Sequence, residues 1–231
     1  MRVHDLNWMQ LEAYLERDDR IVLPLGSTEQ HAYLSLGTDN ILAERIAVEA
    51  AEPLGVPVLP VLAYGVTPSF AAYPGSPTLR VDTYMAVLGD LLDSLHAQGF
   101  RRVLIVNGHG GNTPARARVG EWLGGQTDAQ VLWHDWWSGP RVSETANAID
   151  PVWSHAAWSE NFPWTRLEGV AMPAEAKEPV PLRGPLPPRV ARELAGDGCY
   201  GGLYARPDED VLRLWAAGVD EVRALLADGW R

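Results

Sequence analysis

The sequence predicts an α/β fold, a mostly parallel β-sheet flanked by helices on both faces. Three observations carry that expectation. Short apolar runs, Ile21 to Leu25, Arg102 to Asn107 and Gln130 to His134, read as strands, and the four-residue apolar centre of the second is of the type buried on both faces of a parallel sheet. Between them lie segments whose apolar residues recur at helical spacing. Strand and helix therefore alternate along the chain, which is the pattern of βαβ units in a three-layer sandwich.

Taken in order, Trp8 to Arg17 carries Trp8, Met9, Leu11, Ala13, Tyr14 and Leu15 and predicts a short amphipathic helix. Ile21-Val22-Leu23-Pro24-Leu25 is the first strand. After Asp39, the residues Ile41, Leu42, Ile46, Ala47 and Ala50 repeat as a helix that Thr38 or Asp39 can cap and that Glu52-Pro53 ends. Val56 to Leu62 is strand-like, but Pro57 and Pro60 place it at an edge or irregular end. A long loop punctuated by Gly and Pro, Tyr64 to Pro77, follows; ordered loops of that length tend to carry function. Asp82 to Gln98 reads as a helix stopped at Gly99. The strand ending at Asn107, a helix over Thr113 to Leu123, and the strand over Gln130 to His134 complete the regular part.

Beyond Asp135 the periodicity fades. Trp136, Trp137, Trp153, Trp158 and Trp164 cluster there, as pocket walls, a subunit contact or ordinary core packing. Pro173 to Pro188 reads as extended, and Asp208 to Ala227 as a terminal amphipathic helix that tolerates Gly218. No repeat or low-complexity linker divides the 231 residues, which suffice for one domain with one well-buried core.

A formal net charge of -11 without any basic run argues against nucleic acid as a partner. No run of eighteen apolar residues is present, so no membrane partner is expected. The one cysteine, Cys199, permits no internal disulfide, and the first residues do not read as a signal peptide; both fit a cytoplasmic location.

Three stretches carry chemistry. Gly26-Ser27-Thr28-Glu29-Gln30-His31, closed by Asp39, begins where the first strand ends, the usual place for sites in α/β proteins. Glu29 and His31 are two apart and in extended backbone point to one side. With Asp39 they offer two carboxylates and an imidazole, a donor set suited to a divalent metal. The plainer reading makes Glu29 a loop residue, His31 a satisfied polar group and Asp39 a helix cap. Asn107-Gly108-His109-Gly110-Gly111-Asn112 follows the strongest strand, and its glycines let the backbone turn tightly against a ligand. It fails the dinucleotide fingerprint at Thr113, although a phosphate cradle on the next helix stays open. His155-Ala156-Ala157-Trp158-Ser159-Glu160 lets its histidine and glutamate converge only in a turn, and alone His155 reads as structural.

Together and in this order, these stretches resemble the creatininase (creatinine amidohydrolase) family over about residues 20 to 165. The resemblance implies a creatininase-like sandwich, two divalent metal ions per subunit (zinc, manganese or iron), homo-oligomers such as hexamers, and hydrolysis of a small cyclic amide or formamide. It implies that Glu29 and His109 bind one ion, His31 the other, and that Asp39 bridges them. Creatininase takes a further ligand from a glutamate at the position of Gly111, so Glu160 is assigned to the second ion's shell instead. His155 matches the family's proton-shuttling histidine, and the Gly110 and Gly111 amides are placed to orient substrate. Two departures bear on specificity: His31 to Leu36 is one residue short and lacks a second histidine, and Ser69-Phe70 stands where relatives carry Glu-His. The rival functions are a metal-dependent peptidase that trims a short or modified peptide and a non-catalytic small-molecule-binding module.

Overall fold

In the computed structural model, which describes residues 1–181 and 184–230, three parallel strands form the sheet in the order β1-β2-β3. They are β1 (Arg20–Leu25), β2 (Arg102–Asn107) and β3 (Gln130–Asp135), with Leu25, Asn107 and Asp135 in register at their carboxyl ends. The helices are α1 (Trp8–Leu15), α2 (Thr38–Ala51), α3 (Val81–Ala97), α4 (Ala115–Gly124), α5 (Pro140–Ile149), α6 (Pro188–Ala195) and α7 (Asp208–Asp228). Alternate residues of each strand feed two separate cores, as the two-residue period requires. Val22, Leu104 and Val106 pack with α2, α5 and α7 and with Trp136, Trp158, Phe162 and Trp215. Ile21, Leu23, Leu25, Val103 and Ile105 face the other way, onto α1, α3 and α4. The expected layers are present, and fully burying each such aliphatic side chain contributes about 1.5–3 kcal/mol.

Segment 56–62 follows the free edge of β1 without becoming a regular strand. Val22 N–H donates to Pro57 O (3.0 Å), Leu59 N–H to Val22 O (2.9 Å) and Leu62 N–H to Pro24 O (3.0 Å). Pro57 and Pro60 have no N–H to give, so the ladder breaks between these contacts. Two helices arise where the sequence gives no period. In α5 only Val142 and Ala146 are buried, and in α6 only Ala191 and Ala195. A pair of small residues does not show as an apolar stripe. Of the Pro173 to Pro188 stretch read as extended, Lys177 forms an isolated antiparallel bridge to Gly202 and Pro188 begins α6, while residues 182 and 183 lie outside the described residues.

The start of β1 is fastened by charge. Arg20 donates from Nη2 to Asp18 Oδ2 at 2.6 Å and from Nη1 to Leu226 O at 2.9 Å, tying the strand to the end of α7. Burial pushes the Asp18 carboxyl up, but the Arg20 guanidinium and amide outweigh it and hold the group below the ordinary carboxylate range. A depressed folded pKa gives stability that is present above the unfolded value of about 3.9 and lost as pH falls through the folded value. Asp18→Asn is therefore expected to lower the melting temperature at neutral pH. The difference from wild type should vanish in the most acidic buffers, where both carry a neutral side chain; a gap that persists there would contradict the assignment.

No described helix is long and apolar enough to cross a membrane.

Candidate metal centre

The chemistry-bearing residues gather at the carboxyl ends of the strands. Glu29 and His31 lie on the loop leaving β1, Asp39 in the first turn of α2, and His109 two residues beyond β2. Asparagine side chains lock these loops together. Asn107 Nδ2 donates to Asp135 Oδ1 and to His109 O, both at 2.8 Å, which joins the ends of β2 and β3. Asn112 Nδ2 donates to Gly26 O at 3.1 Å, and its Oδ1 accepts from Val66 N–H at 3.2 Å. The two asparagines that bracket the glycine motif are thus structural ties between loops. Gly108 is required because a Cβ there would lie 2.6 Å from Asp39 O.

His155 and Glu160 reach the same place from a turn. Ala156 adopts φ +58°, and its N–H donates to Glu160 Oε2 at 2.6 Å. Ala32, at φ +50°, likewise donates its N–H to Gln30 Oε1 at 3.1 Å. Both alanines hold a conformation that L residues avoid, and each spends its amide on a side chain of the site.

The donors form two sets that share one carboxylate, Glu29 with Asp39 and His109, and His31 with Asp39 and Glu160. Asp39 divides its oxygens between them, Oδ1 lying 2.9 Å from His31 Nε2 and Oδ2 3.0 Å from His109 Nδ1. Glu29 Oε1 is 3.2 Å from His109 Nδ1, and Glu160 Oε2 is 3.7 Å from His31 Nε2. Donors about 2.1 Å from one ion stand about 3.0–3.4 Å apart, so the spacing suits a cation between them. Glu29, His31 and Asp39 are at most 2% exposed, and Glu29 Oε2 has no hydrogen-bond partner.

The outer partners of the rings point the same way. His31 Nδ1 faces Glu29 O at 3.2 Å, and His109 Nε2 faces Val66 O at 3.0 Å. A carbonyl only accepts, so each of those nitrogens carries the proton and the opposite one turns a lone pair toward the carboxylates when the ring is neutral. Without a cation, that arrangement sets lone pairs against carboxylate oxygens, and the electrostatics record the mismatch. Burial favours neutral rings, yet Asp39 holds His31 up to about 10, and Glu29 with Asp39 holds His109 well above its ordinary value. Burial raises Glu160 to about 7 against the pull of His31. The cluster draws positive charge to itself, and its oxygen and imidazole donors fit divalent metal.

Above the cluster is a cavity of about 410 Å³ lined by Glu29, Asp39, His109, Gly110, Gly111, His155 and Glu160. Its walls include Phe70, Trp137, Trp153 and Tyr200. Phe70 stacks on His155 with centroids 4.9 Å apart and planes 22° from parallel. Of the clustered tryptophans, Trp136, Trp137 and Trp153 border the cavity while Trp158 and Trp164 pack into the core. Tyr200 was not legible in the sequence, since it arrives 45 residues after His155 on an irregular strap with no motif around it.

A three-layer α/β sandwich with a shared-carboxylate donor cluster at its strand ends defines a class of candidate metallohydrolases. More particularly, the chain belongs to the creatininase family, whose members are metal-dependent amidohydrolases: the family model described as creatinine amidohydrolase matches residues 4–226. The creatinine amidohydrolase of Pseudomonas putida is 30% identical over 114 residues, 46% of this chain and 44% of that one. The mycofactocin precursor peptide peptidase of Mycolicibacterium smegmatis is 34% identical over 104 residues, 42% of each chain. The matched stretches thus span less than half the length of these relatives. A crystal structure of creatinine amidohydrolase (creatininase) superposes with TM-score 0.79 at 22% identity, covering 97% of this chain and 96% of that one, and a structure described as creatininase Mn gives the same values. At that identity the likeness establishes the fold.

Proposed function

We propose that this protein hydrolyses the C–N bond of a small uncharged amide, such as a cyclic amide or formamide, with two divalent ions that share Asp39. The carrying observation is the division of the Asp39 oxygens between two buried imidazoles, each with its own second carboxylate. Glu29, His109 and Asp39 would hold one ion; His31, Glu160 and Asp39 would hold the other. When bound, a pair of zinc, manganese or iron ions supplies hydroxide from water at neutral pH and polarises a carbonyl. A creatininase described as Zn-Zn type is among the structures that share the fold, at TM-score 0.80 and 20% identity.

The remaining work falls to the chain itself. Phe70, Trp137 and Trp153 line the cavity with apolar surface, which would strengthen polar contacts made beside it. Gly110 and Gly111 border the cavity, where their amides would orient a substrate, and Gly110 has open space beside it as far as Trp137 at 3.9 Å. His155 turns Nδ1 toward the cluster, 3.9 Å from Glu29 Oε1, where it would attend the departing nitrogen.

The cavity also speaks to substrate class. Among the described residues that line it there is no Lys or Arg. The carboxylates of Glu29, Asp39 and Glu160 plus one hydroxide balance two divalent ions, so no net positive charge remains to receive a substrate carboxylate. Lactams and formamides are therefore expected to release amine at least about tenfold more efficiently than dipeptides with a free carboxyl end, a difference of about 1.4 kcal/mol. Such a panel, run with metal content measured in parallel, tests the reading. Faster cleavage of the free dipeptides would favour the peptidase function borne by the M. smegmatis relative.

A further inference from the structure

Within Glu29-Gln30-His31 both outer residues are occupied by the donor cluster, and Gln30 is not. Its side chain, in a residue only 4% exposed, turns away from the cluster and meets His155, 125 residues later. Gln30 Nε2 lies 2.9 Å from His155 Nε2 and 3.1 Å from Gly198 O, while Gln30 Oε1 accepts from Ala32 N–H at 3.1 Å. Two backbone groups therefore fix which end of the amide is which. A flipped amide would set its oxygen against the Gly198 carbonyl and its NH2 against the Ala32 N–H.

We infer that Gln30 is a positioning residue that holds neutral His155 with its proton on Nδ1, so that the ring presents an N–H to the cavity. The inference rests on the amidohydrolase reading for its use but not for its geometry. His155 Nε2 has two neighbours, the Gln30 amide at 2.9 Å and the Gln30 backbone carbonyl at 3.2 Å. A proton on Nε2 would satisfy the carbonyl but would aim an N–H at the amide N–H, which has no other orientation open to it. The shorter contact and the fixed amide decide for an accepting Nε2.

The contrast with the other two histidines gives the arrangement its meaning. His31 and His109 are backed by carbonyl oxygens and present lone pairs inward, the form a metal takes. His155 is backed by an amide N–H and presents a donor inward, a form that cannot ligate. This separates His155 from the ligands even though Glu29, His31 and His155 also lie within 4.8 Å of one another. Neutral imidazole used as a hydrogen-bond donor is an established catalytic device. Here the donor would meet the lone pair that develops on the amide nitrogen as its carbonyl carbon becomes tetrahedral. Phe70 stacked on one side of the ring and Tyr200 at 4.9 Å keep its plane in place for that contact.

The test is the nitrogen spectrum of histidine-labelled protein at a pH where His155 is neutral, with and without zinc, the His155 signals being assigned by difference from His155→Gln. The expected result is an Nδ1 signal of the protonated type and an Nε2 signal of the unprotonated type. Gln30→Glu, which replaces the donor by an acceptor of the same shape, should reverse the two and lower kcat at least tenfold while KM changes less than twofold. A wild-type spectrum with the proton on Nε2, or a Gln30→Glu spectrum that does not reverse, overturns the inference. Because the wild-type spectrum decides by itself, a variant that fails to fold leaves the test intact. Because the metal-free spectrum is recorded too, the result stands apart from whether the protein proves to be a metalloenzyme.

Discussion

Asp39→Asn is expected to abolish paired metal binding, reducing bound metal from two ions per chain to one or none and activity by more than about 100-fold, the upper range seen when only a supporting partner of a ligand is lost. The side chain is 2% exposed and each of its oxygens faces a different imidazole. Asn keeps the shape, but one of the two positions becomes an NH2 group that repels a cation, and the cluster loses one of its negative charges. The metal-free fold should tolerate the change, because one of the buried carboxylates that favour protonated rings is gone. Burial raises the Asp39 pKa, yet His31 and His109 hold it well below the ordinary range, so the carboxylate depends on cationic neighbours throughout. Melting temperatures with and without zinc separate loss of binding from loss of fold. Zinc at 100 times its dissociation constant should stabilise wild type by about 2.7 kcal/mol and the variant by far less. An Asp39→Asn protein that keeps wild-type metal content and rate would end the shared-carboxylate reading.

How far the sequence reached can be argued from single residues. The strands were legible because Val103, Leu104, Ile105 and Val106 are apolar without alternation, and the structure buries them on both faces. Residues α2, α3 and α7 contribute to the cores repeat at helical spacing. The helix α5 was not legible, because Val142 and Ala146 are its only buried residues and its stability comes from packing against α7. In the site, Glu29, His31, Asp39 and His109 could be found because each lies within a short motif at a strand end or helix start. Glu160 was harder, since its approach to His31 depends on the positive φ of Ala156, which no spacing rule anticipates. Gln30 escaped for the opposite reason. Its position inside the motif suggested only a spacer, and its partner His155 is distant in sequence.

Gly111→Ala is the second change expected to be severe, although position 111 carries no side chain and no left-handed backbone. A Cβ built there overlaps both the Val66 carbonyl oxygen and His109 Nε2, the two atoms whose contact at 3.0 Å fixes the orientation of His109. Something must move, and both neighbours are constrained. The Val66 main chain is held by Asn112, and His109 is held by Glu29 and Asp39. Displacing the carbonyl frees Nε2 and lets His109 turn its protonated nitrogen toward the cluster, which should weaken metal binding about 10–100-fold, as loss of such partners does elsewhere. Gly110→Ala is the matched comparison: its Cβ would meet nothing nearer than Trp137 at 3.9 Å, and metal affinity should stay at the wild-type value. Titrating zinc into both variants measures the difference directly. Equal affinities would show that the Val66 carbonyl does not orient His109. A tenfold or larger gap would show that glycine at 111, where creatininase has a glutamate, serves the centre by leaving space for a backbone oxygen.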